Sequence, residues 1–140
     1  MSIKHGDELQ PWRLIHVSAD HMKALAQVLG DPNPIHLDPA AVARMGLGDR
    51  VINQGPANLA YVMNMLAEAL PQARLVKLDC RFVANVFAED SVEAGGKVTA
   101  IEASPAGETV DCDVWLKVNQ QSVAISGTAR LYIAASSDAP

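Results

Sequence analysis

Hydrophobic positions repeat along this chain with two periods, and the change between them divides it into a helical part and a strand part. In the first part Met22, Leu25, Ala26 and Leu29 share one face at helical spacing. Ser18 is placed to cap that helix, Asp20 lies in its first turn, and Gly30 stops it. Ahead of it, residues 13–17 alternate weakly and predict a short first strand. Residues 31–38 are interrupted by Pro32 and Pro34 and bounded by Pro39, which predicts extended, irregular chain. Asp38 followed by Pro39 then opens a helix of one or two turns that stops at Gly46, and residues 46–50 form a loop.

The strongest helical signal covers residues 56–70. Leu59, Val62, Met63, Leu66, Ala67 and Leu70 follow the spacing of one helix face, and Pro71 ends the run. The other face, with Ala57, Tyr61, Asn64 and Met65, is also poor in charge, so this helix is expected to be buried on most sides.

From residue 74 the period falls to two. Val76, Leu78, Cys80 and Phe82 alternate with Lys77, Asp79 and Arg81. Val110, Cys112, Val114, Leu116 and Val118 form a second set, and Val123, Ile125, Ala129, Leu131 and Ile133 a third. Residues 92–103 predict a less regular strand with a bulge at Gly95-Gly96, and residues 104–107 and 119–122 are the turns that join the last three strands. Such strands make an antiparallel meander with one buried face, and only helix 56–70 can cover it. The expectation is an α+β protein with a single hot-dog fold, a long central helix wrapped by an antiparallel sheet, carrying a short-helix overhang. That domain spans residues 1–134, and residues 135–140 read as a flexible tail.

Composition narrows the classes of function. The 140 residues are 49% hydrophobic and 19% charged, with mean hydropathy +0.09, which suits one folded domain that also buries surface against a partner. A net charge of −5, a pI near 5.2 and the lack of a Lys/Arg run argue against nucleic acid or an anionic membrane as partner. Cys80 and Cys112 lie far apart, with neither metal-ligand spacing nor a disulfide framework. No apolar leader opens the chain and no stretch approaches bilayer length, so a cytoplasmic protein is expected.

The chemistry concentrates in Gly30-Asp31-Pro32-Asn33-Pro34-Ile35-His36-Leu37-Asp38. Taken singly, Asp31 suits a Pro-rich turn and His36 a buried site bonded to backbone. Together on a stiff loop, a carboxylate and an imidazole can hold one water between them and shuttle its protons. Gly55, ahead of Pro56 at the helix start, can offer a free amide to developing negative charge, although it also suits a plain capping position.

This segment resembles the G-D-x-N-P-x-H-x-D signature of MaoC-like (R)-specific enoyl-thioester hydratases. Gly46, Gly48 and the run Val51-Ile52-Asn53-Gln54-Gly55 stand where that family has a glycine-containing loop and a helix-opening glycine. The resemblance implies reversible (R)-specific hydration of trans-2-enoyl-CoA to 3-hydroxyacyl-CoA, without metal or cofactor. It implies Asp31 and His36 as the acid/base pair and Gly55 as the oxyanion donor. Asn33, Gln54 and Asn58 are the candidate substrate-side residues, with Asn33 and Asp38 also suited to shaping the loop and capping the short helix. The chain departs from the pattern at Gln54, where many members have His, which implies an altered pocket wall. The implied partners are an acyl-CoA or acyl carrier protein thioester and a second copy, as a homodimer or dimer of dimers. Two alternatives stay open: a non-catalytic acyl-thioester-binding scaffold subunit, and a hot-dog thioesterase. The second is disfavoured because the first two turns of helix 56–70 carry no acidic residue.

Overall fold

A computed structural model describes residues 2–137. Its elements in chain order are β1 (Trp12–Leu14), α1 (Ala19–Leu29), a 3-10 turn (Pro34–His36), α2 (Pro39–Arg44), α3 (Gly55–Ala69), β2 (Arg74–Phe82), β3 (Val92–Ser104), β4 (Gly107–Val118) and β5 (Ser122–Ala134). The strands form one antiparallel sheet in the order β1-β3-β4-β5-β2. Helix α3 lies along its inner face, and Val62, Met65 and Leu66 pack with Val98, Val110, Cys112, Val114, Leu116, Ile125 and Leu131 in one core. The hot-dog architecture expected from the pattern is the one found, with residues 30–54 as the overhang leading into the central helix. Among the described residues no helix is long and apolar enough to cross a membrane. Of the tail expected over 135–140, Asp138, Ala139 and Pro140 lie outside the described residues, as does Met1 at the start.

Several expectations shift in position, each for a non-local reason. The first strand ends at Leu14, because Val17 leaves the sheet edge and exchanges backbone hydrogen bonds with Glu89 and Asp90. Leu29 is exposed, so α1 buries only Met22 and Ala26 fully. Residues 31–38 are not wholly extended, since Pro34–His36 make a 3-10 turn. Helix α3 starts at Gly55 with Gln54 in the capping position. Its buried face holds Asn58, Val62, Met65 and Leu66, while Met63 and Ala67 stand open on this chain, so the helix is not buried on most sides.

In β2 the register shifts between Leu75 and Lys77, which turns Val76 outward and brings Leu75, Leu78 and Cys80 toward the core. Phe82, expected inside, is also exposed. The irregularity of β3 falls between Val98 and Ala100 rather than at Gly95-Gly96. Those glycines pair regularly and make room: a Cβ at Gly95 would sit 2.5 Å from the Trp115 indole nitrogen. In β5 the register shifts at Ala124, so Ala124 and Ile125 are both buried and Val123 faces out.

Candidate active site

Two helix ends and a tight turn deliver the sequence-predicted pair. Gly30 adopts the left-handed conformation that terminates α1 (φ 61°), and the Asp31 amide then bonds back to Ala26 O at 2.9 Å. That C-terminal lock fixes where the Asp31 side chain starts. Its Oδ1 accepts from the Asn33 amide at 3.1 Å, and Asn33 Oδ1 in turn accepts from Ile35 N at 3.3 Å. These local bonds, with Pro32 and Pro34, fold residues 31–36 into a compact loop. Asp38 Oδ1 caps α2 through Ala40 N, which ends the loop on its far side.

His36 is buried, and its Nδ1 lies 2.6 Å from the Ile52 carbonyl oxygen. A carbonyl can only accept, so Nδ1 carries the hydrogen. The remaining nitrogen, Nε2, faces Asp31 Oδ2 at 3.4 Å. This spacing is longer than the roughly 2.7–2.9 Å of a tight charge-assisted bond. A carboxylate oxygen and an imidazole nitrogen therefore oppose one another, each anchored from behind by backbone. Asp31 is the more open of the two and borders a groove of about 600 Å³ lined by Lys23, Ala26, Gln27, Gly30, Pro32 and Leu37.

Gly55 opens α3, and its amide has no acceptor among the described residues. Its backbone is not in the left-handed region, and a Cβ there would meet the Phe82 ring at an ordinary 3.6 Å. Neither conformation nor the chain's own packing demands glycine at this position. Gln54 is fully buried and donates from Nε2 to Met22 O at 2.8 Å, while its Oε1 has no hydrogen-bond partner.

Asn58, one turn into the helix, is buried, and its Oδ1 accepts from Asn53 Nδ2 at 2.8 Å. The same nitrogen lies 3.1 Å from Tyr61 Oη, and the Tyr61 ring stacks on Trp12 with centroids 5.1 Å apart. Burial pushes the Tyr61 phenol above its ordinary value, and the bond from Asn53 partly offsets this. Asn53, Tyr61 and the Ile52 carbonyl were not singled out from sequence. The only signal was a polar pair, Asn53-Gln54, set between an apolar run and an apolar helix. Asn33 is exposed at the loop surface, whereas Gln54 and Asn58 are held inside by protein partners.

A family model described as a MaoC like domain matches residues 2–120. No match is found among curated proteins. Among solved structures, the chain is similar to an (R)-hydratase from A. caviae involved in PHA biosynthesis, at 24% identity and a TM-score of 0.83, over 94% of this chain and 98% of that one. It is similar to a MaoC-like dehydratase from Rhodospirillum rubrum at 23% identity and a TM-score of 0.81, over 96% and 94% of the two chains. A third likeness is to a chain of the ChsH1-ChsH2 complex from Mycobacterium tuberculosis, at 17% identity and a TM-score of 0.79, over 95% and 99%.

Proposed function

The chain belongs to the MaoC-like domain family, and we propose that it hydrates trans-2-enoyl thioesters, with coenzyme A or acyl carrier protein as the carrier, to (R)-3-hydroxyacyl thioesters and runs the reverse dehydration. The observation that carries this reading is the opposition of His36 Nε2 and Asp31 Oδ2 at 3.4 Å with Nδ1 already committed to Ile52 O. Such a pair can hold one water from two sides. One member takes a proton from the water as its oxygen attacks Cβ, and that same proton, passed across the pair, is returned to Cα, so the elements of water are added in full and the site ends in the protonation state it began with. Charge gathers on the thioester oxygen during attack, and the unengaged Gly55 amide at the N-terminus of a 15-residue helix suits it.

The apolar groove beside Asp31, with Lys23 at its rim, offers space for part of the thioester substrate. The enzyme acts in the cytoplasm as a homodimer or dimer of dimers, the exposed face of α3 being one surface available for pairing. Hydration of crotonyl-CoA by the purified chain, followed by loss of the enoyl absorbance and chiral analysis of the product, tests the reading. An (R)-hydroxy product that disappears in Asp31→Asn is expected; an (S) product or an unaffected Asp31→Asn enzyme overturns it.

A second reading has two observations in its favour. A similar chain is part of a complex of two different subunits, and the buried Gln54 stands where many members carry His. On this reading the chain is a thioester-binding subunit that needs an active partner. Absence of hydration by the chain alone, across several acyl lengths, would favour it.

A further inference from the structure

The turn between β2 and β3 bonds to the strand-like segment whose Ile52 carbonyl holds His36 and to Val17, ahead of the helix that ends at Asp31. At its end lies Asp90, a buried carboxylate that accepts from three donors: Phe87 N at 2.9 Å, Arg50 Nη1 at 2.9 Å and Asn119 Nδ2 at 3.1 Å. Burial by itself raises an acid's pKa, yet the Phe87 amide, Asn119 and Arg50 together hold Asp90 below the ordinary carboxylate value. Arg50 also donates to Ala88 O at 2.8 Å and lies over the Phe87 ring. Glu89, inside the same turn, sits at φ 71°, a region a non-glycine residue occupies only when its surroundings impose it.

Two backbone routes leave this turn. Asn53 N donates to Val86 O at 2.7 Å and Ala88 N to Val51 O at 2.9 Å. Ile52, between them, is thereby clamped with its carbonyl on His36 Nδ1. Along the other route Val17 N donates to Asp90 O at 2.9 Å and Glu89 N to Val17 O at 2.8 Å. Val17 immediately precedes the Ser18 cap of α1, and the far end of α1 delivers Asp31. The turn is thus a shared anchor for the two halves of the pair.

We propose that Asp90 is a positioning residue, whose carboxylate locks the 87–90 turn and so sets both the hydrogen-bonded form of His36 and its spacing from Asp31. Its catalytic consequence rests on the hydratase reading; its effect on His36 does not. In Asp90→Asn, the amide NH2 replaces one carboxylate oxygen and faces donors. We expect kcat to fall about ten- to a hundred-fold, as small misplacements of reacting groups do, with KM nearly unchanged. Nitrogen-15 NMR of the imidazole provides the second readout. The wild type is expected to show Nδ1–H as the dominant neutral form of His36, and the variant a mixture of the two tautomers. Asn119→Ala, which removes one of the three donors to Asp90 together with the oxygen that accepts from Ser91 N and Oγ, should move both readouts in the same direction by less.

A folded Asp90→Asn protein with a lower melting temperature, but with unchanged kcat and an unchanged His36 signal, overturns the proposal and leaves Asp90 a stability residue. Should Asp90→Asn fail to fold, Asn119→Ala decides on the same two measurements. Should the wild type hydrate no enoyl thioester, the hydratase reading fails, and the NMR comparison still tests whether Asp90 controls His36.

Discussion

The sheet with its central helix and the overhang of residues 30–54 are held together by different forces. Strands β3, β4 and β5 pair over twelve or thirteen residues each, and their inward side chains meet α3 in one apolar core. Here burial of apolar area dominates, and it is tolerant of chemistry but sensitive to volume. The overhang contributes little to that core. It leaves Leu37, Met45 and Leu47 open and is shaped by side-chain-to-backbone bonds from Asp31, Asn33 and Asp38. Those bonds point polar groups in chosen directions, which packing alone does not do. The candidate chemistry sits in the overhang for that reason, with the rigid core as its support.

Substitutions that separate the two regions sharpen this contrast. The largest effect is expected from Asp31→Asn, which should lower hydration by ~10²–10⁴-fold, the usual worth of a positioned acid or base. Its melting temperature should stay near the wild-type value, because Asp31 lies outside the core; a large loss of stability with activity kept would reverse the contrast. Met65→Ala is the converse case. Its side chain is fully buried against the sheet, so denaturant unfolding should report a loss of about 2–5 kcal/mol. The surviving folded protein should keep most of its kcat.

Asp38→Ala removes the cap on Ala40 N and should cost about 0.5–2 kcal/mol, felt first in the overhang. Faster amide exchange confined to residues 38–46 would bear that out, whereas exchange rising across β4 would not. The smallest effect concerns acid. Asp90 has a depressed pKa in the fold, so its contribution is present above the ordinary carboxylate value of 3.8 and is lost as pH falls below it. Melting temperatures followed from pH 6 to below the ordinary carboxylate value of 3.8 should fall in the acid part of that range, and the part due to Asp90 should vanish in Asp90→Asn. A wild type whose stability is flat across that range contradicts it.

Much of this arrangement could be read from local sequence, because the signals are themselves local. Ser18, Gly30 and Asp38 cap or stop helices through bonds to residues two to four positions away. The alternation of Val110, Cys112, Val114, Leu116 and Val118 survives intact since β4 runs between two strands and all five side chains are buried. Bulges were less legible. Whether Val76 or Leu75 points inward depends on the register of β2 against β5, and the sequence of β2 fits either choice. In the Gly95-Gly96 pair, which suggested a bulge, Gly95 instead makes room for the indole of Trp115 on a neighbouring strand and Gly96 for Leu9 and Met65.

The sequence by itself determined the order of elements, the alternation that gives β4 its buried face, and the close spacing of Asp31 and His36 on a stiff loop. Periodicity, caps and prolines act within a few residues, so they are written in the order of the chain. Only the tertiary structure decided which nitrogen of His36 faces Asp31. That choice follows from Ile52, sixteen residues away, and from the turn at Asp90 that holds Ile52 in place. The Asn53, Asn58 and Tyr61 contacts form in the same way, where residues separated along the chain lose water together and must satisfy one another.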